Sequence, residues 1–381
     1  KSLKAGQLVI FKHSYYKNID YYKYFGQIIN KSFDEYLVEL RDITLDIFQK
    51  TLNQIGDRQI IIPLSGGHDS RLIASIFNHL GAKNVKCYSY GTPENFESKI
   101  AEKIAKKLGY EWKFIPLTHR SEKKFYSSKD FNEYLKFSES FSSVPFIQSL
   151  SSIKYLRDMN WIDKEAVFIN GLSGDFITGG HAHLNKKEKP ENKSLEARKE
   201  IILDKLIEKH FSLWGYLKTK NNLNNIKNNI SNEIINDLGN LACEEQDHLI
   251  FEYSELIGRQ SKYVIKKQKV YEFYGYEWRL PFWDDKFLYF WQKIPLKYKF
   301  EQKLYKEMLK KNNFGNVWSD DLFINRKTIS PKWLIPLRFF CKIPFSFFGN
   351  NGRKAWKQFD INFFMYFMSI PHTWDMYNYF R

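Results

Sequence analysis

The stretch QIIIPLSGGHDSRL, residues 59–72, contains the signals that decide the fold. Its isoleucine-rich beginning, residues 59–64, predicts a short buried strand, because strands covered on both faces are apolar at nearly every position. Gly66 and Gly67 predict a tight turn after that strand. Apolar residues then recur at helical spacing up to Leu80, which predicts a helix. Strand, glycine turn and helix together form the repeating unit of an α/β protein.

The same alternation continues along the first half of the chain. The sequence predicts strands at 85–90, 112–117 and 166–170, and a further helix whose apolar face runs from Ile100 to Leu108. Parallel strands need crossover connections, which helices supply. We therefore predict an α/β fold with a parallel sheet and helices on both faces, followed by a mostly helical second half.

The composition indicates a globular protein. The chain has 381 residues, of which 43% are hydrophobic and 18% aromatic, and this is too apolar for a disordered chain. Its three cysteines lie far apart and form no Cys-x-x-Cys pair, which argues against a disulfide scaffold or a structural zinc site. No uncharged apolar run approaches the roughly 20 residues that span a bilayer. We expect a cytoplasmic protein without a transmembrane segment.

The net charge of +16 leaves two interpretations open. A strongly basic protein can bind nucleic acid. The whole chain, however, is rich in Lys, Asn, Ile, Phe and Tyr, the residues of A/T-rich codons. Codon bias together with a phosphate-binding site therefore explains the charge without a nucleic-acid partner, and we favour that explanation.

The loop Ser65-Gly66-Gly67-His68-Asp69-Ser70 is suited to bind a phosphate chain. Glycines allow backbone N–H groups to approach an anion closely, and the amino end of the following helix favours negative charge. The two serines offer hydroxyls, and Asp69 offers a carboxylate to Mg²⁺. The loop has neither the Gly-x-x-x-x-Gly-Lys pattern of a Walker A motif nor the Gly-x-Gly-x-x-Gly pattern of dinucleotide-binding folds. We predict a pyrophosphate-binding loop.

Four segments, in this order, resemble the asparagine synthetase family. LSGGHDS at 64–70 is similar to the loop of the PP-loop ATP pyrophosphatases, the superfamily with the adenine nucleotide alpha hydrolase-like fold. Three further segments resemble the synthetase branch of that superfamily: NGLSGD at 170–175 before Gly179-Gly180, EWRLPF at 277–282 before Asp284, and NRK at 325–327. The resemblance covers about residues 35–335. It implies an ATP-dependent amidoligase, similar to the glutamine-hydrolysing asparagine synthases.

The resemblance also implies a reaction and roles for individual residues. A small carboxylate acceptor would be adenylated with release of pyrophosphate, and ammonia would attack the acyl-adenylate to give an amide and AMP. The implied cofactors are ATP and Mg²⁺, with Asp69 and Asp175 holding the metal. Lys327 would neutralise the charge that develops as pyrophosphate leaves, and such stabilisation is usually the largest catalytic effect. The implied ATP-binding residues are Leu64, Ser65, Gly66, Gly67, Asp69, Ser70, Tyr90, Asn170 and Gly171.

The chain departs from the family pattern at positions around the implied acceptor pocket. Leu172 stands where the family has the glutamate of Ser-Gly-Glu-Gly, and leucine can neither accept a proton nor polarise ammonia. Either another group does this work, with Glu277 as the candidate, or the acceptor is not aspartate, or the site is impaired. Phe176 replaces an acidic residue, His181 replaces the tyrosine of Gly-Gly-Tyr, and Arg71 replaces a second serine of the loop.

We predict three regions along the chain. Residues 1–34 resemble the junction that follows the glutaminase domain of the family. The glutaminase domain itself, with its catalytic cysteine, is not part of this sequence. Three explanations are open: the sequence is a truncated form, a separate glutaminase subunit supplies ammonia, or the nucleophile is another amine. Residues 35–335 would form the synthetase-like domain, with a solvated, partly mobile insertion at 185–240. Residues 336–381 are an aromatic-rich extension, which we expect to pack on the core, with a partner or a membrane surface as alternatives.

Two other functions remain open. A PP-loop enzyme that modifies transfer RNA, of the lysidine-forming or thiolating type, would use the same loop and would explain the basic charge. The EWRLPF and NRK segments and the lack of paired cysteines argue against it. A catalytically impaired relative that binds nucleotide as an interaction partner is the second alternative, and Leu172 motivates it.

Overall fold

A five-stranded parallel sheet forms the centre of the fold. The computed structural model describes residues 3–13, 15–91, 96–139, 143–182, 194–211, 218–235, 246–319, 322 and 333–364. The strands of this sheet are β3 (Ile60–Pro63), β4 (Val85–Gly91), β5 (Glu111–Pro116), β6 (Val167–Ile169) and β7 (Glu277–Arg279), in the order β5-β4-β3-β6-β7. An antiparallel hairpin of β1 (Gln7–Lys12) and β2 (Tyr15–Asp20) precedes them. The predicted α/β fold with a parallel sheet is confirmed.

Helices connect the strands and continue beyond them. In the first half they are α1 (Phe33–Ile55), α2 (His68–His79), α3 (Phe96–Lys107), α4 (His119–Tyr126), α5 (Lys129–Ser138), α6 (Leu150–Asp158) and α7 (Gly174–Ile177). In the second half they are α8 (Leu195–His210), α9 (Lys220–Ile230), α10 (Asp247–Glu255), α11 (Lys269–Phe273), α12 (Asp285–Trp291), α13 (Leu296–Lys299), α14 (Lys303–Asn312), α15 (Leu334–Ser346) and α16 (Gly349–Phe363). Two π-helical segments, Ser231–Ile235 and Leu256–Val264, extend α9 and α10. Short 3₁₀ segments lie at Ile265–Gln268, Pro281–Trp283, Phe300–Gln302 and Phe314–Asn316.

Alternate residues of the central strand enter different hydrophobic cores. Ile60 and Ile62 pack with α1, α2 and α3 on one face of the sheet. Ile61 packs with α5, α6 and α11 on the other face. Because successive strand residues point to opposite faces, a strand covered on both sides must be apolar throughout, as residues 60–62 are.

The strand order creates a switch point between β3 and β6. From β3 the chain proceeds outward through β4 to β5, and it then returns to place β6 and β7 on the opposite side of β3. The loops that leave the carboxyl ends of β3 and β6 therefore diverge and leave a crevice between them. Ligands of open α/β sheets bind at such crevices.

The described helices between residues 195 and 235 pack on the protein core. Ile202 and Leu206 of α8 are buried in the same core as α1 and α2. Arg198 pairs with the buried Asp247 through two hydrogen bonds of 3.0 and 2.7 Å, which attach α8 to α10. The prediction of a solvated insertion is therefore wrong for α8, whose apolar face is covered, whereas most residues of α9 are exposed or half-buried and only Ile230 is buried. Residues 185–193, 212–217 and 236–240 of the predicted insertion lie outside the described residues.

The aromatic-rich extension forms a helical hairpin rather than a cover for the core. Helix α15 packs against α16 around a small cluster that contains Leu334 and Phe364. Several large apolar side chains of this hairpin are exposed, among them Phe347, whose side chain is 80% exposed. The expectation of a core-covering segment is wrong for residues 333–364. Residues 365–381 lie outside the described residues. In the described part of the chain, no helix has both the length and the apolar character needed to cross a membrane.

Candidate active site

A cleft of about 470 Å³ lies at the switch point of the sheet. One wall is the loop between β3 and α2, and the other is the segment between β6 and α7. Helical residues 259–267 close the cleft from the second half of the chain. Nine of the predicted site residues line it: Leu64, Ser65, Gly67, Asp69, Ser70, Tyr90, Asn170, Gly171 and Asp175. Gly66 belongs to the same loop, and its carbonyl oxygen accepts a hydrogen bond from Arg71.

Hydrogen bonds within the first loop fix its shape. The Ser65 N–H donates to Ser70 Oγ at 3.0 Å, and the two serine hydroxyls lie 3.0 Å apart. The Gly67 N–H donates to Ser65 Oγ at 3.2 Å. Gly67 is also the N-cap of α2, so the positive end of that helix lies at the cleft. This arrangement of N–H groups, hydroxyls and helix terminus suits a phosphate group.

Two glycines bring the second wall directly against Asp69. A Cβ atom at Gly171 would lie 2.8 Å from Asp69 Cβ, and one at Gly174 would lie 2.6 Å from Asp69 Cγ. Ser173, between them, has a left-handed φ of +66°. Any larger residue at 171 or 174 would push the two loops apart. The close approach places Asp69 beside Asp175, whose charge influences its titration.

A histidine connects Asp175 to a buried glutamate. His181 Nε2 lies 3.2 Å from Asp175 Oδ2, and His181 Nδ1 lies 2.6 Å from Oε1 of Glu255, which is almost fully buried. Arg259 and Gln260 also contact this oxygen, at 3.1 and 2.9 Å. Burial opposes the charged imidazole, but the two carboxylates outweigh it and raise the pKa of His181 to about 9. The imidazolium, itself held by Glu255, therefore fixes the position of the Asp175 carboxylate.

The two aspartates fit a magnesium ion that arrives with a nucleotide. Burial, together with the nearby Asp175 carboxylate, raises the pKa of Asp69 to about 8. A cation between two such carboxylates relieves their repulsion. Mg²⁺ prefers oxygen ligands and in nucleotide sites commonly uses one or two carboxylates plus phosphate oxygens. Within the described ranges, no group of three or more His, Cys, Asp or Glu side chains is placed to hold a metal by itself.

A buried lysine also lines the cleft. Lys267 is 9% exposed, and its Nζ lies 5.6 Å from the ring centre of Phe146. Burial lowers its pKa to about 8. A buried cation is costly unless an anion compensates it. Lys267 is therefore placed to receive an anionic group of a bound reactant.

A further side of the cleft is built from strand ends. The Leu64 N–H donates to the Tyr88 carbonyl at 2.8 Å, and the Leu64 carbonyl accepts from Ser89 Oγ at 2.6 Å. The Asn170 amide donates to the Tyr271 hydroxyl at 3.0 Å. Tyr90 lines the same region. These contacts fix the strand ends around the space where the sequence resemblance implies adenosine.

The comparison with protein families agrees with this geometry. The model of the asparagine synthase family matches residues 44–316, which is most of the chain. The chain belongs to the asparagine synthase family. This membership indicates an ATP-dependent ligase in general. A search of curated proteins found no match.

Not every residue predicted from the family pattern reaches the cleft. Glu277 begins β7 beside Val167, at the amino end of the sheet, whereas the cleft lies at the carboxyl ends. Its carboxylate is engaged by Arg58 at 3.0 Å and by Arg279 at 2.9 Å. The structure therefore does not support Glu277 as the replacement for the missing family glutamate. Lys327 lies outside the described residues.

Arg71, another departure from the asparagine synthase pattern, connects the loop to the segment that follows α14. Its guanidinium donates hydrogen bonds of 2.8 Å to the carbonyl oxygens of Gly66 and Leu322. It also lies 5.2 Å from the ring centre of Trp318. A serine could not span this distance. The substitution is thus a packing change behind the loop, not a change in the cleft.

Sequence reasoning missed four residues of the site: Glu255, Gln260, Lys267 and Tyr305. The Tyr305 hydroxyl donates to Asp69 Oδ1 at 3.1 Å. Gln260 accepts from the Ser173 hydroxyl at 2.7 Å. All four lie on helices of the second half, outside the four family-like segments. Only the three-dimensional packing of that half against the sheet brings them to the cleft.

Proposed function

We propose that this protein is an ATP-dependent carbon–nitrogen ligase that adenylates a small carboxylic acid and joins it to ammonia to give an amide. The observation that carries the proposal is the meeting of two loops at the switch point of the sheet. There Gly171 and Gly174 allow the second loop, with Asp175, to pack on Asp69 of the first. Family membership supports the reaction class.

The proposed reaction has two steps. A carboxylate oxygen of the acceptor attacks the α-phosphorus of ATP, the bond to the β-phosphate oxygen breaks, and pyrophosphate leaves. Ammonia then attacks the acyl carbon, the acyl–oxygen bond breaks, AMP leaves, and the nitrogen loses a proton. Mg²⁺, when bound with ATP, neutralises phosphate charge.

Each group of residues in the cleft would have its own role in this reaction. The serine hydroxyls and N–H groups of the first loop would bind the phosphate chain. Asp69 and Asp175 would hold the metal, and His181 orients Asp175. Lys327 is proposed, from the family pattern alone, to stabilise departing pyrophosphate.

Lys267 supports an acidic acceptor. Its side chain is a buried cation that lines the cleft, and an acceptor carboxylate would offset its desolvation. Leu172 makes the adjoining wall apolar where the family pattern has a glutamate. We therefore propose an acceptor that presents one carboxylate to Lys267 and an uncharged part to Leu172. The carboxylate beside Lys267 would then be the one that is adenylated, and such an acceptor differs from aspartate, which carries two carboxylates.

The test follows phosphorus products directly. Purified protein is incubated with Mg²⁺, ATP, ammonium and a pool of small carboxylic acids, and the products are followed by ³¹P NMR. We expect AMP and pyrophosphate in equal amounts, dependent on the pool, and an amide by mass spectrometry. Fractionation of the pool then identifies the acid.

Matched variants test whether AMP formation depends on the cleft. Asp69→Asn should reduce AMP formation by at least a hundredfold, because it removes one of two metal-binding charges. Asp57→Asn, in the exposed turn before β3, makes the same chemical change away from the cleft and should retain the parent rate. ATP binding without AMP formation would contradict the ligase proposal. A parallel reaction with transfer RNA, motivated by the net charge of +16, tests the alternative substrate.

A further inference from the structure

The C-terminal hairpin, α15 and α16, exposes an unusual amount of aromatic surface. Its packed face consists of Leu334, Arg338, Cys341 and Phe345 of α15 against Trp356, Phe359 and Asp360 of α16 and Phe364, which directly follows α16. The spacing of the α15 residues, three or four apart, is that of one helix face. The opposite side of α15 is apolar as well. Phe339, Phe340 and Ile343 are 65%, 66% and 40% exposed.

A helix that is apolar all round is normally buried in a core or in lipid. In the hairpin only one face of α15 meets α16, so its outer face lies open to solvent. Contiguous exposed apolar surface of this kind marks an interaction site. The charge and the dimensions of the hairpin indicate the kind of partner.

The charge of the hairpin favours an anionic partner. Residues 333–364 contain five Lys or Arg residues and a single acidic residue, Asp360. Arg338 already pairs with Asp360 through hydrogen bonds of 2.8 and 2.7 Å. The side chains of Lys342, Arg353, Lys354 and Lys357 are exposed. Basic residues beside an aromatic apolar face are the composition of segments that lie in the interface of an anionic membrane.

The dimensions favour insertion along the surface rather than across the bilayer. Helix α15 has 13 residues, about 20 Å of helix, against a hydrocarbon core of about 30 Å. Long basic side chains can reach the headgroups while aromatic rings enter the acyl boundary. A protein partner would also cover the apolar face, but nothing else in the hairpin specifies one.

We propose that the α15–α16 hairpin binds the surface of an anionic phospholipid membrane, with the outer aromatic face of α15 inserted among the lipids and the basic residues of the hairpin at the headgroups. This function is independent of the ligase chemistry. The hairpin would hold the enzyme at a membrane without a spanning segment.

The test is flotation of the full chain with vesicles. One set contains phosphatidylcholine alone, and the other contains phosphatidylcholine mixed with phosphatidylserine. We expect the protein to float with the anionic set and to dissociate as salt increases, because surface charges are screened. The Phe339→Glu/Phe340→Glu variant should bind at least tenfold more weakly, because two apolar side chains no longer enter the lipid. The Arg353→Gln/Lys354→Gln/Lys357→Gln variant should lose about a hundredfold on anionic vesicles.

A matched control separates lipid binding from general damage. Val38→Glu/Tyr155→Glu introduces two carboxylates at exposed apolar positions of α1 and α6, remote in sequence from the hairpin. It should float like the parent, and circular dichroism should show that all variants fold. Absence of parental flotation, or equal flotation of the Phe339→Glu/Phe340→Glu variant, would overturn the proposal. It would also be overturned if light scattering showed a dimer that this variant dissociates, with no lipid binding, since a second copy would then cover the face.

Discussion

His181 Nδ1 lies 2.6 Å from Oε1 of Glu255, a carboxylate that is almost completely buried. Lys209 also contacts Glu255, and Arg259 lies 3.1 Å from it. Although burial alone would raise the pKa of Glu255, the hydrogen bond and charge of His181, together with Lys209, hold that pKa far below its usual range. Glu255 is therefore a fixed anion, and it positions the imidazole that contacts Asp175.

Replacing this imidazole should weaken the proposed metal site without destroying the fold. In His181→Asn, Asp175 loses its contact with the ring, and groups that orient a metal ligand typically contribute 10- to 100-fold to affinity or activity. We expect the Mg²⁺ concentration for half-maximal AMP formation to rise by about that factor. A Mg²⁺ titration of pyrophosphate release measures it. His13→Asn, in the exposed turn of the β1–β2 hairpin, should behave like the parent. An unchanged Mg²⁺ dependence in His181→Asn would remove the positioning role.

A second buried ion pair, between Lys299 and Glu252, should contribute to the stability of the fold rather than to metal binding. Lys299 and Glu252 are both buried, and their charged atoms lie 2.6 Å apart. Lys299→Met leaves the Glu252 carboxylate without its cation, which typically costs about 3–5 kcal/mol. Urea unfolding should show this loss. Glu252→Gln/Lys299→Met removes both charges and should recover part of the loss. If the double variant is less stable than Lys299→Met, the cost comes from lost packing rather than from an uncompensated charge.

The parts of the site that sequence predicts are those made by local pattern. The loop at 65–70 and the segment at 170–175 each combine glycine with an acid directly after an apolar strand, so their chemistry is visible within a few residues. The structure shows why both are needed, since Gly171 and Gly174 allow one to pack on the other. Glu277 misleads because its segment resembles a family element. Its position at the amino end of β7 follows from strand direction, which the motif does not reveal.

The parts that sequence does not predict depend on long-range packing. Lys267 is one of many lysines in a lysine-rich chain, and only its burial beside the cleft distinguishes it. The hairpin of α15 and α16 shows the opposite difficulty. An apolar pattern all round a helix predicts burial, yet the outer face of α15 is open. A hydrophobic pattern identifies which residues must be buried, but it does not identify the surface that buries them.

Arg71 should contribute to stability through the segment that follows α14. Arg71→Ala removes hydrogen bonds from a charged donor to the carbonyl oxygens of Gly66 and Leu322, and each such bond is worth about 1.5–3 kcal/mol. We expect the free energy of unfolding to fall by about 3 kcal/mol or more in urea titrations. Arg58→Ala, which breaks an ion pair with the exposed Glu277, should cost about 1 kcal/mol or less. Equal losses in the two variants would show that Arg71 does not anchor the loop.

Lys267 should have opposite effects on stability and on substrate binding. Burial lowers the pKa of Lys267 to about 8, below the usual lysine value of about 10.4. Below pH 8 the folded and unfolded chains both carry the proton, so the folded chain bears the full cost of a buried charge. Between pH 8 and 10.4 the folded chain binds fewer protons, and its stability rises with pH. Lys267→Met should therefore be more stable than the parent at pH 7, by about 3 kcal/mol at most.

That difference should shrink as pH approaches 10, and urea unfolding at several pH values measures it. The kinetic effect has the other sign. If Lys267 receives the acceptor carboxylate, the KM for the acid should rise at least tenfold in Lys267→Met at pH 7, with little change in the KM for ATP. In the parent the same KM should increase above pH 8, as the amine loses its proton, whereas in Lys267→Met it should not. A KM for the acid that is equal in both proteins would show that Lys267 does not bind the acceptor.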